Sequence, residues 1–151
     1  MNGSIAASLA LACAGGLLLV GLLLGVWKYR AIRRSAQAQA PEYVSTAHRA
    51  ALMYAFATVL LGLLAQHNAL PTAWAVACVL AAVASFVLAI GSYVLHGVLR
   101  DTDNQFAEPM RVGPRVVHSR VADAVMAGKA LAELAAVGGL LGGYLRALGW
   151  V

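Results

Sequence analysis

The sequence predicts an all-α protein, a bundle of four transmembrane helices with both termini on the non-cytoplasmic side. Three observations predict it. Four apolar runs are each long enough to cross a hydrocarbon core at about 1.5 Å per residue. The polar segments between them hold most of the charges. The composition, 62% hydrophobic and 11% charged with a mean hydropathy of +0.78, lies outside the range of soluble domains.

The first span runs from about 5 to 27 and stops at a basic segment, Lys28-Tyr29-Arg30 with Arg33-Arg34. Leu11-Ala12-Cys13 has the look of a lipoprotein cleavage site. No positive segment precedes it, however, and the apolar run continues far past Cys13, so the stretch is read as a retained span rather than a cleaved signal. Small residues recur every fourth position at Ala6, Ala10 and Ala14 and again at Gly21 and Gly25, a groove for close helix contact or ordinary usage in a membrane helix. Residues 28–46 form the first polar connection, broken by Pro41.

The second span covers about 47–66, with Ser45 or Thr46 as its N-cap. His67-Asn68-Ala69-Leu70-Pro71 is a tight turn, Pro71 suiting the start of a helix, and the third span covers about 72–99. Residues 100–120 form the second polar connection, and the fourth span covers about 121–148. The two long connections carry most of the basic residues, whereas the turn at 67–71 carries none, so both connections are placed in the cytoplasm. The whole chain, 1–151, is one transmembrane domain of the inner membrane, in contact with lipid and expected to form homo-oligomers. The charge of +5 serves topology, and no nucleic-acid partner is expected. Cys13 and Cys78 lie inside apolar runs and serve packing.

Three constellations could carry chemistry. His48 opens the second span and His96 closes the third, which places both at one membrane face. A neutral imidazole there can be an iron ligand, another metal ligand or a general base, or simply an interfacial helix end. Backwards from His96 run Ser92, Ala89 and Ser85, with Tyr93 alongside, a weakly polar stripe suited to line a pocket. Arg49 and Arg100 are candidate partners for haem propionates. The second constellation is Lys129 with Glu133, about 12 and 18 Å along the fourth span. A charge at that depth is costly and seldom faces lipid; the two can pair four residues apart as a structural lock or serve as a proton path or substrate clamp. Gly138, Gly139, Gly142 and Gly143 mark a close helix contact near its far end. The third is Arg100-Asp101-Thr102-Asp103-Asn104, too short and too poor in carboxylates for an EF-hand loop and read as a turn with Asx capping.

With four spans, Ala47-His48 opening the second and Asn104-Gln105-Phe106 following the third, the chain resembles the styrene oxide isomerase family. The resemblance implies a small, oligomeric four-helix membrane protein that binds haem b. Its ferric iron would act as a Lewis acid on an epoxide oxygen of a small apolar substrate, giving a carbonyl product. By position His48 would be the axial metal ligand, with His96 as a second cofactor-binding candidate. Tyr54 stands where the family has a pocket asparagine, and Tyr93 near its pocket tyrosine, with a shorter gap to the Asn-Gln-Phe triplet; Tyr54, Tyr93 and Asn104 are therefore the catalytic candidates. Lys129 and Glu133 are not part of that pattern. Two other classes stay open: a small transporter or channel subunit using Lys129, Glu133 and the Ser85/Ser92/His96 stripe, and a scaffold or partner subunit using the small-residue faces.

Overall fold

The computed structural model describes residues 4–151. It is all-helical apart from one very short hairpin, with four helices long and apolar enough to span a membrane. Large apolar side chains such as Leu22, Phe56, Leu63 and Leu134 face outward, an inversion of the soluble pattern that suits a multi-pass membrane protein.

Helix α1 spans Ile5–Arg34. Ser4 caps it: its Oγ accepts from the Ala7 N–H at 3.1 Å and donates to the Ala65 carbonyl at 3.0 Å, which ties the start of α1 to the end of the second helix. The helix runs past the expected boundary at 27 through the whole basic segment. Lys and Arg are good helix formers, and cations near a C-terminus complement the helix dipole. Ala6, Ala10, Ala14 and Gly21 are buried, so the small-residue spacing seen in the sequence is the face along which α1 packs on α2.

Helix α2 spans Glu42–Gln66, with Pro41 at the N-cap. The expected cap at Ser45 or Thr46 is thus corrected by one turn. Pro41 needs no N–H partner and Glu42 places a carboxylate at the positive helix end. Thr46 is inside the helix, its hydroxyl donating to Glu42 Oε1 at 3.2 Å. Helix α3 spans Thr72–Leu99, as the sequence predicts, with Pro71 at its N-cap. It ends at Arg100, which adopts a left-handed conformation (φ 52°) and donates its N–H to the His96 carbonyl at 2.8 Å.

The connection after α3 contains two strands that the sequence reading did not anticipate. Strands β1 (Arg111–Val112) and β2 (Arg115–Val116) pair antiparallel. Gly113, at φ +59°, makes the turn before Pro114, a backbone conformation that costs glycine nothing. Helix α4 then spans Ser119–Ala147, its start capped by His118 Nδ1, which accepts from the Arg120 N–H at 3.2 Å.

Helices α2 and α3 form an antiparallel hairpin, and α4 packs mainly on α3. Of α4 only Ala136, Leu140 and Gly143 are buried. This far half is held by Asn68 in the α2–α3 turn. Asn68 Nδ2 donates to the Leu140 carbonyl at 2.7 Å and the Leu64 carbonyl at 3.0 Å, while the Ala69 N–H donates to the Gly143 carbonyl at 3.0 Å. A Cβ at Gly143 would be driven into Asn68. Of the four glycines picked out in the sequence, Gly143 makes this contact and Gly139 faces Cys78 on α3; a Cβ at Gly138 or Gly142 would meet nothing within 4 Å.

Candidate functional site

The near half of α4 stands away from α3 and leaves a cavity of about 730 Å³ between them, with the 100–118 connection lining its mouth. Its walls are mostly apolar, with Leu88, Val125 and Met126 among them. The polar stripe predicted on α3 lines one wall: Ser85, Ala89, Ser92, Tyr93 and His96 all face it. Lys129 lines the other, and Arg111 stands at the rim.

His96 is the most constrained polar residue here, with its side chain 4% exposed. Its Nδ1 lies 2.8 Å from Asp101 Oδ1, and the other Asp101 oxygen accepts the Gly113 N–H. Burial alone would push the Asp101 carboxyl up. The hydrogen bonds from Gly113, from His96 and from its own backbone outweigh that and hold Asp101 below the ordinary carboxylate value. An ionised Asp101 can only accept, so Nδ1 carries the hydrogen, and in the neutral imidazole Nε2 keeps its lone pair.

Around this pair the connection is latched to the helices. The Tyr43 ring lies 5.2 Å from His96 and 6.0 Å from Tyr93 between centroids. The Tyr43 hydroxyl accepts the Gln105 N–H at 2.6 Å, and the Ser92 hydroxyl donates to Gln105 Oε1 at 2.8 Å. Tyr43 was missed in the sequence because it was placed in a connection rather than on α2. Gln105 was passed over for its neighbour Asn104.

Several sequence candidates lie elsewhere. His48 is not on the cavity wall. It faces α1, where Nδ1 lies 2.8 Å from the Gly21 carbonyl and the ring fills the space that a side chain on Gly25 would need. His48 and His96 therefore do not share a pocket within one chain, although both occupy the same end of the bundle. Asn104 is exposed; its Oδ1 accepts the Phe106 N–H at 3.0 Å in an Asx turn, and Gln105 and Phe106 are the members of the triplet on the cavity. Arg49 is exposed and paired with Glu42 at 3.2 Å, and Arg100 is the exposed cap of α3, so the basic side chains on the cavity are Arg111 and Lys129 instead.

Lys129 and Glu133 form an ion pair at 2.7 Å, their side chains 18% and 26% exposed. Tyr54 stacks on Phe86 at 4.3 Å, behind the α3 wall rather than on the cavity. Among the described residues no three His, Cys, Asp or Glu side chains gather as a metal site; a haem needs only one such ligand.

Fold and site define the class: a four-helix, membrane-type protein with an apolar cavity and a histidine–carboxylate pair at its mouth. Comparison with protein-family models, with curated proteins and with solved structures finds no match.

Proposed function

We propose that the chain is a multi-pass inner-membrane protein that takes a small, mostly apolar molecule into the α3–α4 cavity and presents His96 Nε2 to it as a proton acceptor or ligand. The distribution of basic residues supports a cytoplasmic location for the cavity mouth and an outer location for both termini. The observation that carries the reading is the His96–Asp101 pair on the wall of an otherwise apolar cavity. A carboxylate behind an imidazole fixes its tautomer and the orientation of its ring. The closed Lys129–Glu133 pair favours a fixed polar site over a path for moving charge.

The cavity's methionines provide the test. Met110 and Met126 line it and Met53 lies exposed on α2. In protein labelled with ¹³C-methyl methionine and held in nanodiscs, ethylbenzene should shift Met110 and Met126 saturably and leave Met53 unmoved. Equal shifts at all three, or none, would refute a cavity-specific ligand.

A haem-dependent isomerase of the styrene oxide type is the second reading, favoured by His48. The Gly21 carbonyl must accept, so His48 Nδ1 donates and Nε2 is left as the ligating nitrogen, the usual arrangement of a metal-bound histidine. The residues fit an axial ligand in donor chemistry. Haem b bound there would supply a Lewis-acidic iron; the chain's own part is to orient the imidazole through Gly21. A Soret band lost in His48→Ala and kept in His67→Ala supports this reading, and a colourless protein from haem-supplied cells removes it.

A further inference from the structure

The polar groups at the two ends of the cavity differ in one respect. At the mouth they are already satisfied by one another: His96 by Asp101, Ser92 by Gln105, and the Gln105 N–H by Tyr43. At the inner end they are not. Ser85 is 5% exposed and lines the cavity. Its hydroxyl makes no hydrogen bond among the described residues, yet it is not a sealed, unsatisfied group, so its open surface belongs to the cavity. Lys129 lines the facing wall and donates to Glu133 alone. An ammonium has three donors, which leaves two.

These two residues stand at the same level. Ala69, just before α3, is bonded to Gly143 of α4. From that junction α3, starting at Thr72, carries Ser85 about 20 Å along the bundle, and α4 carries Lys129 back by about 21 Å. Unmet donors from opposite walls thus meet the same part of an apolar cavity, where an unpaired polar group is costly.

Resting on the cavity reading above, we infer that the inner end of the cavity is a binding subsite for one uncharged acceptor oxygen, of carbonyl or ether type, held by the Lys129 ammonium and the Ser85 hydroxyl. The ligand enters oxygen first, and its apolar body lies against Leu88, Ala89, Val125 and Met126. Neutrality follows from the ion pair. Lys129 and Glu133 sum to zero charge, so an anion gains from Lys129 but is repelled by Glu133 2.7 Å away, and a cation meets the reverse. A neutral acceptor uses the free donors without disturbing the pair.

The test compares acetophenone, ethylbenzene and phenylacetate, which share a small aryl body. Binding is read at the Met126 methyl in nanodiscs, at equal mole fraction in the lipid. Acetophenone should bind about tenfold more tightly than ethylbenzene, the worth of one hydrogen bond to a charged donor, and more tightly than phenylacetate. The preference over ethylbenzene should shrink in Ser85→Ala and shrink further in the charge-neutral Lys129→Met/Glu133→Leu variant, where only the neutral hydroxyl donor is left, while ethylbenzene binding persists in both. Equal affinity of acetophenone and ethylbenzene, with both bound, overturns the subsite and leaves the cavity reading standing. Tighter binding of phenylacetate overturns the neutral-acceptor assignment. No saturable shift with any probe overturns both.

Discussion

His48 and Gly21 are joined across the α1–α2 interface, the imidazole Nδ1 donating to the glycine carbonyl at 2.8 Å. One turn further along α1, Gly25 leaves the room the ring occupies: a Cβ there would lie 2.9 Å from His48 Cε1. The glycines thus create both the acceptor's accessibility and the slot for the ring. Gly25→Ala should destabilise the protein by about 1–3 kcal/mol, the usual cost of overpacking a filled interface. Gly16→Ala, with nothing within 4 Å, should not. Because the clash is with one side chain, Gly25→Ala should cost far less in a His48→Ala background, so a double-mutant cycle by denaturant unfolding should give a clear coupling.

Asp101 makes the latch of the 100–118 connection sensitive to acid. Its carboxyl is held below its ordinary value, burial being outweighed by the Gly113 and His96 hydrogen bonds. A carboxyl depressed in the folded state contributes stability that is complete above the unfolded value, about 3.9, and is lost as pH falls through the folded value. The Gly113 amide should therefore be protected from hydrogen exchange at neutral pH and lose protection only below about pH 4. In Asp101→Ala both side-chain oxygens are gone, so the Gly113 N–H loses its acceptor and exchange should be fast at every pH. Asp103→Asn, at an exposed position, should keep the wild-type profile.

The Lys129–Glu133 pair should behave as one unit. Removing one partner leaves a lone charge in the middle of α4, and on the insertion scale a charge at a bilayer centre costs about 2.5–3.5 kcal/mol. That value is an upper bound, since both side chains keep some exposure. Glu133→Leu and Lys129→Met should each lower stability, and the double variant should be more stable than either single one. Unfolding in mixed micelles measures the order. Additive losses would mean that the two charges act independently.

What the sequence made legible follows from which signals it carries. Length and apolarity defined four helices, because those properties are nearly independent of neighbours. The ends of α1 and α2 were displaced for local reasons: a basic segment read as a stop continues α1 to Arg34, and Pro41, read as a breaker, is the residue on which α2 starts. The stripe from Ser85 to His96 was legible because polar residues at helical spacing stand out in an apolar run. Which helix His48 faces was not, since α2 is apolar on every side and periodicity gives no direction. Asn104 drew attention as a polar residue beside the triplet, but its own turn consumes its side chain, and only folding shows that Gln105 is the one turned toward Tyr43 and Ser92.

The attachment of α4 to the hairpin gives the most direct test of the fold. Gly139 faces Cys78 so closely that its Cβ would lie 3.3 Å from the Cys78 Sγ. A disulfide brings partner Cβ atoms to about 3.5–4.5 Å of each other, a separation this approach allows. Gly139→Cys should therefore form a disulfide with Cys78 under mild oxidation. Gly138→Cys should not, since a Cβ at Gly138 meets nothing within 4 Å. Cys13, on α1, gives an internal control: its thiol should stay free and titratable in the cross-linked protein. Cross-linking should also report on the Asn68 clamp. Gly143→Ala pushes a methyl against Asn68, and Asn68→Ala removes the bonds to Leu64 and Leu140. Each should loosen the far half of α4 and slow disulfide formation in the Gly139→Cys background. If the disulfide forms equally fast with and without the clamp, Asn68 is not what holds α4 against α3.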